Sequence, residues 1–251
     1  MNRDPFGFGI AQHWPEIDAA GMAEVDRLMV ESLGITLPQM MENAGRALAT
    51  LARDRYLDND AQGRRIVVLA GSGGNGGGAM TAARRLSAWG CEVHLVLAPD
   101  EHTMKGVPAD QLAILRQMGL RPGVLPDGAV DLILDGLVGY SLQGAPRGRV
   151  AELIKWANTQ VAPTLALDVP SGFDARIGSI HDPTSHADAT LTLALPKRGL
   201  LARRHAHVAG ALYLADISVP PELYARLPEP LEVPHFAGGD ILRLVRPGED
   251  M

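Results

Sequence analysis

The sequence predicts an α/β fold, a Rossmann-like three-layer α/β/α sandwich with a mostly parallel central sheet. From residue 66 onward, short apolar runs alternate with amphipathic stretches, the pattern of parallel strands joined by crossover helices. A glycine-rich segment, GSGGNGGG at 71–78, separates one apolar run from an alanine-rich stretch. Asp135 and Asp168 each follow a later apolar run. Ligands of such sheets bind beyond the carboxyl ends of the strands, so these segments are expected at one site.

Two helices are expected ahead of the first strand. Over 22–33, apolar residues recur at helical spacing, and Gly34 ends the helix. Thr36 is placed to cap the next helix, which carries Pro38 in its first turn. The later elements predicted are strand Ile66–Ala70, a helix over 79–88, strand Cys91–Leu97, helix Ala109–Met118, strand Val130–Leu134, helix Arg147–Asn158, and strands Thr164–Leu167, Thr190–Leu195 and Leu212–Ile217.

The chain divides by composition into three parts. Residues 1–20 form an irregular N-terminal arm, 21–218 the α/β domain, and 219–251 a proline-rich C-terminal tail expected to wrap the surface. Apolar residues make up 46% of the 251 residues, as in a globular protein with a sizeable core.

Charge and targeting signals restrict the class of protein. The net charge of −6 argues against nucleic acid or an anionic membrane as partner. A single cysteine, Cys91, permits no internal disulfide and is expected to be a small buried residue. Neither a signal peptide nor a run of about 18 apolar residues is visible. These features favour a cytoplasmic enzyme or binding protein.

The glycine-rich segment indicates a ligand cradle. Glycines let the backbone N–H groups approach an anion, and the following helix adds its N-terminal dipole. Gly71, Gly73 and Gly76 also satisfy GxGxxG, with Asp100 at the end of the second predicted strand, as in a dinucleotide fingerprint. In that fingerprint the third glycine lies in the helix, whereas the prediction here keeps 71–78 as a loop.

Several side chains near the predicted strand ends are candidates for chemistry. Asp135 and Asp168 can bind a cation or transfer protons; otherwise each caps a turn. Asn75 and Ser171 offer further oxygens. Lys197 and Arg198 are predicted either to meet a phosphate or to be solvated. His205 and His207 alternate like a metal pair, but two histidines alone favour surface or packing roles.

Five segments in order make the chain similar to the NAD(P)H-hydrate epimerase family, the YjeF N-terminal domain. The match spans roughly residues 22–218, most of the chain. Its segments are AEVDRLMVESLGI with MMENAGRAL, the glycine segment 71–86, DLILDGLVGYSLQGAPRG, LALDVPSGFDA and HADATLTLALPKRGLL. The resemblance implies an enzyme that interconverts the two epimers of hydrated NADH or NADPH. It also implies a homodimer, a potassium ion and, since the chain ends where fused members carry a linker, a separate dehydratase.

The resemblance also assigns residues by position. Asn75, Asp135 and Ser171 would hold potassium, and Asp168 would contact substrate and serve as the acid–base residue. The remaining implied substrate contacts are Gly74, Asn75, Gly76, Gly77, Gly78, Gly139, Tyr140, Ser141, Leu142, Gln143, Gly144 and Ala145.

The chain departs from the family pattern at the site. Gly74 and Gly78 stand where the family has an amide and a carboxylate, and Tyr140 replaces a small hydroxyl residue. These departures support an alternative hypothesis, a catalytically inactive member that serves as a nucleotide-binding or protein-interaction module. Tyr140 also favours a third hypothesis, an enzyme with the same fold that acts on a different nucleotide-like substrate. A dehydrogenase is the least favoured of the four hypotheses.

Overall fold

The computed structural model describes residues 2–249, so Met1 and residues 250–251, at the tips of the predicted arm and tail, lie outside the description. None of the helices within 2–249 is long and apolar enough to cross a membrane. The elements are β1 (Gly9–Ala11), α1 (Ala19–Leu33), α2 (Leu37–Tyr56), β2 (Arg65–Ala70), α3 (Gly74–Ala88), β3 (Glu92–Leu97), α4 (Gly106–Gln117), β4 (Leu132–Gly136), α5 (Gly148–Asn158), β5 (Thr164–Leu167), β6 (Phe173–Asp174), β7 (Ser179–Ile180), β8 (Ala189–Leu193), α6 (Ala206–Ala209), β9 (Ala211–Ala215), α7 (Pro221–Tyr224) and β10 (Ile241–Leu244).

Eight strands form the central sheet, in the order β1-β10-β9-β8-β5-β4-β2-β3. Every neighbouring pair is parallel except β9 with β10. The predicted α/β fold with a mostly parallel sheet is therefore confirmed. The pair β6 and β7 forms a separate antiparallel hairpin that was not predicted.

Alternate residues of each strand pack against opposite helix layers. Ile66 and Val68 of β2 join the core beneath α2, α3 and α4. Val67 and Leu69 face the other way, into a core closed by α5. Helix α1 covers the β8–β10 end of the sheet in a third cluster. This alternation follows from the two-residue period of a strand buried on both faces.

Both ends of the chain contribute strands to the sheet. Gly9–Ala11 pairs with Ile241–Leu244, which pairs in turn with β9. The expectations of an irregular arm and a surface-wrapping tail were wrong for these residues. Each of these two strands is only three or four residues long, too short for its sequence pattern to distinguish it from a loop. Their pairing satisfies backbone N–H and C=O groups that would otherwise lie unpaired at the edge of the sheet.

The glycine-rich segment is mostly helix rather than loop. Helix α3 begins at Gly74, five residues before the predicted start. The glycines permit close packing: a Cβ built on Gly76 would lie 2.0 Å from the Gly71 carbonyl oxygen, and one on Gly77 would lie 2.7 Å from Met41 Sδ. Tertiary packing therefore outweighs the poor helix propensity of glycine, about 1 kcal/mol per residue.

Candidate functional site

A cavity of about 590 Å³ opens beyond the carboxyl ends of β2, β4, β5 and β8. Its size suits a small-molecule site. One wall is apolar and includes Met40, Met41, Pro108 and Leu167. The polar residues in the lining are Asp26, Ser72, Asn75, Tyr140, Ser141, Asp168 and Lys197. This combination can enclose a ring and present a few charged groups to it.

Asp168 follows β5 and is 3% exposed. Its φ of 67° lies in the left-handed region, which non-glycine residues seldom adopt and which surrounding contacts must enforce. The Tyr140 backbone N–H donates to Oδ2 at 2.9 Å, and Lys197 Nζ lies 2.6 Å from Oδ1. Both carboxylate oxygens are thus held in place within the cavity.

Lys197 is fully buried, so the interpretation that it is solvated was wrong, whereas contact with a phosphate stays a prediction. Its Nζ donates to the carbonyl oxygens of Leu193 at 2.7 Å and Leu195 at 3.0 Å, beside the ion pair with Asp168. The neighbouring Arg198 is half exposed and pairs with Asp18. In the sequence, LPKRGL directly follows a predicted strand, which places it near the expected site. That position alone does not tell whether the Lys197 or the Arg198 side chain turns into the cavity.

Asp26 is a cavity residue that sequence reasoning missed. It lies on α1, one turn from the core residue Met22, and its Oδ2 accepts a 2.6 Å hydrogen bond from the Tyr140 hydroxyl. Burial raises the pKa of Asp26, an effect that the Tyr140 hydrogen bond opposes. Burial and Asp26 together raise the pKa of Tyr140. The signal in the sequence was an aspartate at i+4 from an apolar helix residue.

Asp135 and Ser171 are in direct contact behind the cavity wall. Ser171 donates its hydroxyl to Asp135 Oδ1 at 2.6 Å and its backbone N–H to Oδ2 at 2.9 Å. The same hydroxyl lies 3.3 Å from the Val138 carbonyl oxygen. Burial raises the pKa of Asp135, and the Ser171 hydrogen bonds oppose that shift. Across residues 2–249 no ion pair to this carboxylate is found.

Asn75 lies in the first turn of α3 and lines the cavity. A Cβ built on Gly139 would lie 3.3 Å from Asn75 Oδ1 and 3.0 Å from Asp168 Oδ2, so glycine at 139 leaves room for both side chains. The buried Asn75 Nδ2 has no hydrogen-bond partner within residues 2–249. An unsatisfied buried donor in a cavity is a group that a ligand can complete.

Of the other residues assigned by the resemblance, some line one of two cavities and the rest line neither. Gly74, Gly78, Gly139, Tyr140 and Ser141 line the main cavity. Gln143 lines a neighbouring groove, which Tyr140 and Ser141 share. The lining of these two cavities does not include Gly76, Gly77, Leu142, Gly144 or Ala145.

The structure also bears on the dinucleotide fingerprint and on the pair His205 and His207. Gly76 lies in helix α3, as the third glycine of a dinucleotide fingerprint does, so the prediction of a loop over 71–78 was wrong as an argument against that fingerprint. Asp100, however, is exposed, caps a short 3₁₀ turn and is not part of the cavity lining. His205 donates from Nδ1 to the Gly199 carbonyl oxygen at 2.8 Å, and its ring packs edge-on against Phe173, so it has a packing role. Residues 2–249 contain no cluster of three His, Cys, Asp or Glu side chains suited to a metal.

Comparisons with known proteins agree with this architecture. The crystal structure of a yeast protein, ynu0, superposes with a TM-score of 0.74, covering 92% of this chain and 100% of that one. At 24% sequence identity, this likeness shows the shared fold alone.

Relatives at higher identity are named as epimerases. An NAD(P)H-hydrate epimerase of Dehalogenimonas lykanthroporepellens is 46% identical over 208 residues, 82% of each chain. One of Rhodopirellula baltica is 32% identical over 216 residues, covering 83% of this chain and 86% of the relative. A bifunctional NAD(P)H-hydrate repair enzyme of Salinibacter ruber is 34% identical, but this chain spans only 43% of its length. A family model described as YjeF-related protein N-terminus matches residues 37–199. The chain therefore belongs to the YjeF-related N-terminal family.

Proposed function

We propose that the protein is an NAD(P)H-hydrate epimerase, an isomerase that interconverts the two epimers of hydrated NADH or NADPH. The observation that carries the proposal is Asp168, a buried carboxylate held by Lys197 and the Tyr140 N–H at the wall of a cavity of suitable size. The names of relatives at 46% and 32% identity support the same reaction. A family member that binds nucleotides without catalysis remains the alternative.

Epimerisation at a hydroxylated carbon beside a ring nitrogen is acid–base chemistry. A proton reaches the hydroxyl, which leaves as water while the nitrogen lone pair forms a C=N bond. Water then adds to the opposite face and gives up one proton, so the reaction is balanced without an oxidant or reductant. Asp168 is placed to accept that proton, because Lys197 and the Tyr140 N–H hold its carboxylate in one orientation.

Potassium is part of the proposal, with Asn75, Asp135 and Ser171 as its ligands. The donor set fits: carboxylate, amide and hydroxyl oxygens suit a hard cation, and the buried Asp135 carboxylate has no countercharge among residues 2–249. When bound, the cation would supply positive charge behind the cavity wall. It would also hold the end of β4 to the segment after β5, through Asp135 and Ser171.

Potassium is expected to raise the melting temperature by about 5 °C when it is present at about a hundred times its Kd. Asp135→Asn should abolish this response because it removes the uncompensated charge. Differential scanning calorimetry in potassium chloride, against choline chloride of equal ionic strength, measures the effect. Asp174→Asn changes another buried aspartate and should retain the full response. Equal melting temperatures in the two salts for the unmodified protein would remove potassium from the proposal.

The reaction itself is tested with the two separated epimers of NADPH hydrate. We expect purified protein to convert either epimer into the equilibrium mixture at least about 10²-fold faster than buffer, as acid–base catalysis provides. Chromatography of timed samples measures the conversion. Tight NADP binding with conversion at the buffer rate would instead establish the binding module.

As further parts of this proposal, the enzyme would act as a homodimer in the cytoplasm, in the same pathway as a separate dehydratase. The bifunctional repair enzymes among the relatives support the connection with a dehydratase.

A further inference from the structure

A second carboxylate, Asp26, lines the same cavity as Asp168. The two are linked through one residue: the Tyr140 side chain bonds to Asp26, and the Tyr140 backbone N–H bonds to Asp168. The Tyr140 hydroxyl donates to Oδ2 of Asp26, and Oδ1 accepts no hydrogen bond from residues 2–249. That oxygen is left free to carry a proton or to meet a ligand.

We propose that Asp26 is a second catalytic residue of this site, the general acid that complements Asp168. This inference rests on the proposed epimerase function. Asp26 would donate its Oδ1 proton to the departing hydroxyl, so that the C–O bond breaks and water forms. The nitrogen lone pair forms the C=N bond at the same time. Asp168 then takes a proton from the water that adds on the opposite face.

The surroundings of the two carboxylates favour this division of roles. Lys197 forms an ion pair with Asp168, and an ionised carboxylate is the form that accepts a proton. Asp26 faces Tyr140 from the segment after β4 and Tyr224 from α7, with Asp168 and Lys197 at longer range. Burial is the largest influence on Asp26 and raises its pKa, which favours the protonated acid. Two carboxylates in unlike environments commonly divide the acid and base roles.

Asp26→Asn tests the assignment with almost no change in side-chain shape. We expect kcat for epimer interconversion to fall by about 10²-fold or more, the contribution of a general acid, while KM changes by less than about threefold. Glu31→Gln is the matched control, an exposed carboxylate on the same helix that pairs with Arg27, and should keep the original rate. Circular dichroism and melting temperature verify that each variant is folded.

Tyr140→Phe separates an acid role from a structural one. Its hydroxyl now lowers the pKa of Asp26, so removing it raises that pKa and keeps Asp26 protonated to higher pH. The high-pH limb of kcat/KM is therefore expected to move upward by about half a pH unit or more. A purely structural loss would lower the rate and leave the limb in place.

The outcomes distinguish this inference from the function on which it rests. Unmodified protein with no interconversion overturns both. Active unmodified protein, with Asp26→Asn at the original rate or Tyr140→Phe with an unmoved high-pH limb, overturns the role of Asp26 alone. A rate loss in Asp26→Asn together with the upward limb in Tyr140→Phe supports it.

Discussion

Asp168→Asn is expected to lower the rate of epimer interconversion by about 10²–10⁴-fold, with the fold retained. The amide keeps the size of the carboxylate but cannot accept a proton from the adding water. It also turns an N–H₂ group or a weaker acceptor toward Lys197, which now lies 2.6 Å from Oδ1. The measurement is single-turnover conversion of one NADPH hydrate epimer, followed by chromatography.

Asp100→Asn is the matched control for Asp168→Asn. Asp100 follows β3 as Asp168 follows β5, but it is exposed and caps a short turn by accepting from the His102 N–H. Asparagine caps equally well, so rate and stability should stay unchanged. A loss of nucleotide binding in Asp100→Asn would revive the dinucleotide-fingerprint interpretation. An unimpaired Asp168→Asn variant would exclude Asp168 as the base.

Lys197→Met is expected to lower the free energy of unfolding by about 3–5 kcal/mol. Methionine fills similar volume, but it leaves the Asp168 carboxylate buried without its countercharge. It also removes the hydrogen bonds to the Leu193 and Leu195 carbonyl groups. Urea denaturation followed by circular dichroism measures the loss. Arg198→Met is the adjacent control: this ion pair with Asp18 is half exposed, so the change should cost less than about 1 kcal/mol.

A double-mutant cycle checks the cause of that loss. Combining Lys197→Met with Asp168→Asn removes the orphaned charge, so the double variant should be more stable than the sum of the two single changes predicts. Simple additivity would mean that Lys197 stabilises the fold through packing alone. Equal losses in Lys197→Met and Arg198→Met would contradict the burial of Lys197.

Local patterns were sufficient for the framework of the sheet. The strand over 66–70 is predicted and observed to within one residue, because its apolar run is bounded by glycine and charge. The capping box of α2 is likewise local, with the Thr36 N–H bonded to Gln39 Oε1 at 2.7 Å. Helix α3 shows the limit: six glycines in eight residues indicate a loop, whereas contacts with Met41 and the Gly71 carbonyl require close helical packing.

The sequence alone determined the α/β class, the family resemblance, and the position of Asp135 and Asp168 at strand ends that share one edge. Those features depend on periodicity and on spacing along the chain. Tertiary structure decided which of Lys197 and Arg198 enters the cavity, that Asp26 meets Tyr140 across 114 residues, and that β1 and β10 join the sheet. The reason is physical: a charge is buried only where a partner from a distant segment compensates its desolvation, and no local pattern records that partner.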